Sequence, residues 1–265
     1  MNARSRKRVQ CNFCVIGTEA RRLNRITPND GGLKVISYSV IVPARNEGID
    51  FAGFLLDLAA ATDGDDVQII AVVNGCTDGD ATLRAARLAA SGHPRVEVFD
   101  APPSVRSKGE AIRFGFSKVT GEYVFLVDAD GSAPAFIVAG VARQVGAMAG
   151  DVLVLSRRVG HRSLQRRSVG WMFRRLQRSM LSISRDTQSP FKGLPATLAS
   201  KLVDNENMIG WGFESELILV AQDVGCDVIE VEIPWHDTAD SNVRVLADGF
   251  AMFRQMMSTR QRWAL

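Results

Sequence analysis

The chain contains little cysteine and little histidine. Its 265 residues include four cysteines, Cys11, Cys14, Cys76 and Cys226, and three histidines. Cysteines so few and so scattered do not suit the disulfide framework of a small secreted domain, and they favour a reducing compartment. Cys11 and Cys14 have the spacing of half a zinc site, but no second pair at that spacing follows, so we do not expect structural zinc.

Long apolar runs are also missing. No stretch reaches the roughly 18 consecutive apolar residues that a membrane-spanning helix needs. The amino-terminal sequence MNARSRKRVQ is basic, but no apolar run of signal-peptide length follows it. We therefore expect a cytoplasmic protein whose membrane contact is peripheral, on the cytoplasmic face of a membrane.

One segment lacks acidic residues altogether. Between Val152 and Arg185 there is no Asp or Glu, although the net charge of the whole chain is only +3. The arginines of this segment are Arg157, Arg158, Arg162, Arg166, Arg167, Arg174, Arg175, Arg178 and Arg185. Apolar residues between positions 169 and 180 recur at helical spacing, which predicts a basic amphipathic helix.

The chain does contain a regular alternation of apolar runs with helical patterns. Between residues 35 and 127, each of four short apolar runs ends in a polar loop, and helical patterns separate them. This order is typical of an α/β fold with a mostly parallel sheet flanked by helices. We predict a flexible basic extension over residues 1–34, an α/β domain over 35–242, and an amphipathic helix within 243–265 that packs on the domain or on a membrane.

Two aspartates stand at the end of the most apolar run. Tyr123–Val127 suits a strand buried on both faces, and it stops at Asp128-Ala129-Asp130. Side chains two residues apart in an extended segment point the same way, so Asp128 and Asp130 can converge on one ligand. A lone Asp-x-Asp also occurs as a solvated turn. At the carboxyl end of a strand, however, the pair favours a hard cation such as Mg²⁺ or Mn²⁺ shared with substrate phosphates.

Eight short motifs occur in a familiar order. They are VIVPARNE, VVNGCTDGDAT, SKGEAIRFGF, FLVDADGSAP, LSRR, DTQSPFKG, GWGFESEL and VIEVEIPWHD. Together, over about residues 38–254, they resemble the inverting family-two glycosyltransferases of the GT-A fold. The sixth and seventh motifs are most similar to those of the dolichyl-phosphate glucose and mannose synthases. The resemblance implies a Rossmann-like nucleotide-diphospho-sugar transferase with a nucleoside-diphosphate sugar donor and an Mg²⁺ or Mn²⁺ cofactor.

The resemblance also implies roles for particular residues. It makes Asp130 the catalytic metal ligand, with Asp128 as a nucleotide contact beside the metal. Ser132 stands where close relatives can have a glutamine that assists the metal. The residues that it assigns to the nucleotide pocket are Pro43, Ala44, Arg45, Glu47, Asn74, Lys108 and Asp128.

Several positions depart from the family pattern. Arg45 stands where an aromatic residue is frequent, and Asn74 stands where an acid that reads the base is common. Asn242 replaces a common lysine that would hold the diphosphate, and Arg244 is a candidate to take over. The sugar and the nucleotide base are therefore left open.

The acid-free segment points to the acceptor. The guanidinium group of arginine can donate two parallel hydrogen bonds to phosphate oxygens. The apolar face of an amphipathic helix suits a bilayer or a lipid tail. A polyprenyl phosphate has both properties, and we expect Arg157, directly after the strand end at Ser156, to bind its phosphate. Such a helix can also be a solvated face or meet nucleic acid. We favour the lipid phosphate and a membrane surface, and we expect no nucleic-acid partner.

Two other functions remain as alternatives. If the acceptor is a sugar hydroxyl in polysaccharide or glycoconjugate synthesis, a carboxylate base is required. Glu214 is the candidate for that base, followed by Asp186 and Asp237. The second alternative is a catalytically weak homologue that binds nucleotide or membrane. A homodimer or a membrane-protein partner is also left open.

Overall fold

The computed structural model describes residues 36–145, 151–159, 174–183, 189, 191–210, 212–234 and 245–265. The strands are β1 (Tyr38–Ala44), β2 (Val67–Val73), β3 (Val96–Asp100), β4 (Tyr123–Val127), β5 (Val152–Val159), β6 (Phe191–Pro195) and β7 (Asp227–Pro234). The helices are α1 (Asp50–Ala61), α2 (Ala81–Gly92), α3 (Lys108–Phe116), α4 (Ala135–Val145), α5 (residues 174–181), α6 (Ala196–Leu202), α7 (Phe213–Asp223) and α8 (Val245–Arg262).

The seven strands form one sheet in the order β3-β2-β1-β4-β6-β5-β7. β1 pairs in parallel with β2 and β4, β2 with β3, and β5 with β7. Only β6 runs the other way among the described strands, antiparallel to both β4 and β5. The predicted α/β class, with a mostly parallel sheet flanked by helices, is confirmed.

The segment that contains β6 differs from the sequence prediction. Turn-forming residues are frequent between residues 186 and 193, and this composition predicts an irregular segment. Phe191–Pro195 instead forms a fully buried strand between β4 and β5. The reason is tertiary, because backbone groups inserted between two strands must form hydrogen bonds with both neighbours.

The sheet has an apolar layer on each face. On one face, α1, α2 and α4 cover Val40, Ile69 and Phe125, all fully buried. On the other, α3, α6 and α7 cover Ile41, Ile70 and other core residues. Strands buried on both sides explain the unbroken apolar runs of the sequence.

The start of α3 is set by local chemistry. Ser107 accepts a hydrogen bond from the backbone N–H of Glu110, and the Glu110 carboxylate accepts one from the backbone N–H of Ser107, which is a capping box. The Ser107 hydroxyl also accepts a hydrogen bond from the backbone N–H of Gly210, at 3.0 Å. The first residue of the helix, Lys108, is thereby fixed relative to the loop before α7.

The carboxyl-terminal helix α8 contacts α7 through a buried carboxylate. Glu216, which is 3% exposed, accepts hydrogen bonds from Arg262 at 3.1 Å and from the Trp263 indole at 3.3 Å. Among the described residues, no helix combines the length and the apolar character that crossing a bilayer requires. The predicted extension, residues 1–34, lies outside the described residues.

Candidate active site

The carboxyl ends of β1, β2 and β4 meet at one edge of the sheet. The parallel pairing of β1 with both neighbours puts the loops that follow Ala44, Val73 and Val127 side by side. In open α/β sheets this edge holds the ligand crevice. The predicted site residues on these three loops therefore lie together, as the sequence indicated.

Lys108 and Asp128 form an ion pair at this edge. Lys108 Nζ lies 2.5 Å from Asp128 Oδ1, and both side chains are partly buried, at 29% and 27% exposure. Burial alone would lower the pKa of Lys108, but Asp128, Glu214 and Asp130 together raise it. Lys108 is therefore a fixed positive charge beside the crevice.

Asp130 and Ser132 share a short turn after β4. The backbone N–H of Ser132 donates to Asp130 Oδ1 at 2.9 Å, and the Asp130 side chain faces solvent. Ser132 is 4% exposed, and its hydroxyl oxygen has no hydrogen-bond partner within the described part of the chain. One exposed carboxylate and one unpartnered buried hydroxyl thus lie next to each other.

Glu47 adds a third carboxylate to this edge. Its burial, and then the charge of Asp130 and that of Asp128, raise its pKa above the ordinary value, against a smaller effect of Lys108. Glu47 follows β1, and Asp128 and Asp130 follow the neighbouring strand β4, so the three carboxylates repel one another. The charge of Asp128 is compensated by Lys108, whereas Glu47 and Asp130 form no ion pair among the described residues.

The loop that carries Glu47 is braced against the loop after β2. Asn46, in the left-handed region at φ 60°, donates to the Thr77 hydroxyl at 3.2 Å and accepts from the Thr77 backbone N–H at 2.7 Å. The backbone N–H of Gly48 donates to the Thr82 hydroxyl at 3.0 Å. These hydrogen bonds fix the position of the loop, which forms one wall of the crevice.

The other predicted nucleotide-pocket residues line the same edge. Pro43 and Ala44 are the last residues of β1, and Arg45 donates to the carbonyl of Arg106 at 3.2 Å. Asn74 is 3% exposed, and its side-chain amide nitrogen has no hydrogen-bond partner in the described regions. A buried donor without a partner is a group that a bound ligand can satisfy.

The residues of this edge fit a divalent cation. Mg²⁺ and Mn²⁺ prefer oxygen ligands, and Mg²⁺ uses one or two protein carboxylates together with substrate phosphates. Asp130 and the Ser132 hydroxyl supply such oxygens, and the uncompensated charge of Asp130 and Glu47 attracts a cation. Within the described residues, no three His, Cys, Asp or Glu side chains lie close enough together to hold a metal ion by themselves. The arrangement thus suits a cation that completes its coordination with ligand oxygens.

A second ion pair, between Lys192 and Glu214, lies deeper in the protein. Lys192 Nζ is 2.6 Å from Glu214 Oε1, with side-chain exposures of 3% and 5%. Lys192 also donates to the carbonyl of Ser189 and lies 5.6 Å from the centre of the Phe213 ring. Burial lowers the pKa of Lys192 and raises that of Glu214, while each partner acts in the opposite direction on the other.

Lys192 is the site residue that the sequence reasoning missed. A narrow cleft, with no room for a water molecule, lies beside Lys108 and Asp128, and Lys192 forms part of its wall. The residues that line the cleft are Pro43, Lys108, Ile112, Leu126, Val127, Asp128, Lys192 and Phe213. The lysine belongs to the quoted motif DTQSPFKG, but a single lysine beside glycine in a polar segment gave no indication of burial. Only the pairing of β6 with β4 and β5 buries it.

Arg157 lies on the same face of the sheet as Lys192. Lys192 is opposite Leu126 on β4 and Leu155 on β5, and Asp128 and Arg157 each come two residues later. Two strand spacings, about 10 Å, therefore separate the backbones of Asp128 and Arg157. The Arg157 side chain is 51% exposed and forms an ion pair with Glu232 at 3.3 Å. The two other candidate bases, Asp186 and Asp237, lie outside the described residues, as do Asn242 and Arg244.

Comparison with known families agrees with this geometry. Residues 39–192 match the family model described as glycosyl transferase family 2. The chain belongs to this family. It is 26% identical over 228 residues to the dolichyl-phosphate beta-glucosyltransferase ALG5C of Trichomonas vaginalis, a match that covers 77% of this chain but only 65% of that relative.

Other relatives carry similar names. The chain is 24% identical to the dolichyl-phosphate beta-glucosyltransferase of Dictyostelium discoideum, over 93% of this chain and 81% of that protein. It is 28% identical to the Drosophila melanogaster protein of the same name, over 78% and 69%.

Solved structures share the fold. Glucosyl-3-phosphoglycerate synthase from Mycobacterium tuberculosis in complex with uridine diphosphate has a TM-score of 0.65 at 21% identity, covering 88% of this chain and 83% of that one. Mannosyl-3-phosphoglycerate synthase from Rubrobacter xylanophilus has a TM-score of 0.62 at 20% identity, covering 87% and 76%. The fold of this family-two glycosyltransferase is thus GT-A.

Proposed function

We propose that the protein is an inverting, divalent-cation-dependent hexosyltransferase that moves a sugar from a nucleoside-diphosphate sugar to a polyprenyl phosphate at a membrane surface. The observation that carries the proposal is the convergence of Glu47, Asn74, Lys108, Asp128 and Asp130 at one edge of the sheet. Three relatives named dolichyl-phosphate beta-glucosyltransferases support the acceptor class, and a structure in complex with uridine diphosphate supports a nucleotide donor.

The donor lies along the ends of β1, β2 and β4 in this proposal. The Asn74 amide, buried and without a partner among the described residues, hydrogen-bonds to the nucleoside. Lys108, held by Asp128, faces the diphosphate. Pro43, Ala44, Arg45 and Glu47 form the wall beside the base and ribose. Each group is fixed before the donor arrives, which reduces the ordering cost of binding.

The reaction is a single displacement at the anomeric carbon. An oxygen of the acceptor phosphate forms a bond to that carbon, and the bond from the carbon to the diphosphate oxygen breaks. The bonding electron pair leaves with the nucleoside diphosphate, and the configuration inverts. Asp130 and Ser132 would hold a divalent cation, which would supply positive charge to the departing diphosphate. Lys108 adds a preorganised positive charge of the protein's own.

The acceptor phosphate needs orientation rather than deprotonation. The second pKa of a phosphate monoester is near ~6, so at neutral pH the dianion is already a nucleophile. Arg157, half exposed on the cleft side of the sheet, orients it. Glu214 is poorly placed to serve as a base for a hydroxyl acceptor, because it is 4% exposed and held by Lys192. The membrane contact is peripheral in this proposal.

A transfer assay tests the proposal. Radiolabelled UDP-glucose and GDP-mannose are incubated separately with Mn²⁺ or Mg²⁺ and either a short polyprenyl phosphate, the matching polyprenol, or a free sugar. The proposal predicts label in the organic phase with the phosphate acceptor alone, and none when EDTA is present. Transfer to the sugar hydroxyl would support the alternative acceptor, and no donor cleavage under any condition would support a homologue that only binds.

A further inference from the structure

The buried pair Lys192–Glu214 and the pair Lys108–Asp128 form one cluster of four charges. Each lysine is within electrostatic range of both carboxylates, and the two lysines repel each other. The charges of the two pairs therefore act on one another, so a change in one pair affects the other.

The backbone holds the four groups at fixed positions. Lys108 is the first residue of α3, and Glu214 is the second residue of α7. These helix starts touch, since a Cβ added to Gly109 would lie 2.8 Å from both the Met208 carbonyl oxygen and Phe213 Cβ. Lys192 extends from β6, directly opposite Leu126 of β4, two residues before Asp128.

Two carboxylates, those of Asp128 and Glu214, therefore attract the Lys108 ammonium group. It contacts Asp128 at 2.5 Å, while the charge of Glu214 also acts on it. Glu214 is the more buried of the two acids and would gain more from a cationic partner. Lys192 forms the ion pair with Glu214, at 2.6 Å, so Lys108 pairs with Asp128 instead.

We propose that Lys192 is a positioning residue: by neutralising Glu214 it keeps the Lys108 ammonium group on Asp128, at the mouth of the cleft. Lys192 contacts no substrate in this scheme and acts through Lys108. The effect on nucleotide binding rests on the function proposed above, whereas the position of Lys108 does not.

Removal of one charge from the deeper pair should disturb the upper pair. In Lys192→Met, the carboxylate of Glu214 loses the Lys192 ammonium group, and its charge draws Lys108 away from Asp128. In Glu214→Gln, the Lys192 ammonium group is uncompensated, repels Lys108 and competes for Asp128. The double variant Lys192→Met with Glu214→Gln removes both charges, so Lys108 should keep its ion pair with Asp128.

The first readout is the position of Lys108. Crystal structures of the wild type, Lys192→Met, Glu214→Gln and the double variant are compared at one pH near neutrality. We expect the contact between Lys108 and Asp128 in the wild type and the double variant, and its loss or lengthening in the single variants. An unchanged contact in every single variant that crystallises would overturn the proposal. This readout requires no nucleotide, so it stands even if the proposed function fails.

The second readout is the affinity for nucleoside diphosphate with Mn²⁺. UDP and GDP are titrated calorimetrically, and the one that the wild type binds is measured with each variant at a temperature where all are folded. We expect each single variant to bind about tenfold more weakly and the double variant to return within about threefold of the wild type. A double variant as weak as the poorer single variant would contradict a role through charge balance. If Lys192→Met does not fold, Glu214→Gln and the double variant make the same comparison.

Discussion

Lys108 Nζ lies 2.5 Å from Asp128 Oδ1, and this contact joins the first turn of α3 to the carboxyl end of the central strand β4. The two residues are 20 positions apart in the chain. The pair leaves one positive group facing the crevice and one carboxylate already compensated. It also distinguishes the two aspartates, because Asp130 is exposed and forms no ion pair among the described residues.

Close packing between α3 and α7 predicts a stability effect. Gly109→Ala would place a Cβ 2.8 Å from the Met208 carbonyl oxygen, so we expect the free energy of unfolding to fall by about 1–3 kcal/mol. Gly53→Ala is the matched control, since no atom lies within 4 Å of the added Cβ on the exposed face of α1. It should stabilise the protein by about 0.4–1 kcal/mol. Urea unfolding measures both, and equal effects would contradict the contact.

Arg157 should matter for the acceptor and not for the donor. We expect Arg157→Ala to raise the KM for polyprenyl phosphate by about tenfold or more, because a charge-assisted hydrogen bond to phosphate is lost. Slow donor hydrolysis without acceptor should stay within about twofold of the wild type, as most surface substitutions are nearly neutral. Arg87→Ala, on the exposed side of α2, is the control. Losses of equal size in both reactions would count against the assignment.

Glu47 should make stability depend on pH. Its pKa is raised in the folded protein by burial and by Asp130, so between the ordinary glutamate pKa and the raised value the folded state binds more protons than the unfolded state. The free energy of unfolding therefore falls as pH rises through this window, and Glu47→Gln removes that contribution. We expect the stability of the wild type relative to Glu47→Gln to decrease with pH in EDTA. If the stability difference between the wild type and Glu47→Gln stays constant or increases with pH, the pKa of Glu47 is not raised in the folded protein.

The sequence predicted those structural features that depend on residues close together in the chain. Tyr123–Val127 followed by two aspartates is sufficient to predict a buried strand with acids at its end. The predicted parallel sheet also implies that the polar loops after β1 and β2 lie at the same edge. β1 includes Pro43 and Ala44, which the resemblance assigned to the nucleotide pocket. Its pairing with β4 ends at Ile41, so Pro43 pairs with β2 alone.

What the sequence did not reveal depends on distant contacts. Phe191–Pro195 contains glycine and proline, and it is a strand only because β4 and β5 bond to it from both sides. The same insertion buries Lys192 against Glu214, the residue that the sequence offered as a candidate base. The assignment of Ser132, Asp128 and Asp130 to a metal remains a prediction, as does the flexible extension at residues 1–34.

The central claim is that Asp130 holds the cation on which sugar transfer depends. Transfer of labelled sugar to polyprenyl phosphate is measured across a Mn²⁺ titration for the wild type, Asp130→Ala and, as a control, Asp57→Ala on the exposed face of α1. We expect Asp130→Ala to lose at least about 100-fold in kcat at every Mn²⁺ concentration, with Asp57→Ala unchanged. An Asp130→Ala variant with wild-type activity and an unchanged Mn²⁺ dependence would contradict the account.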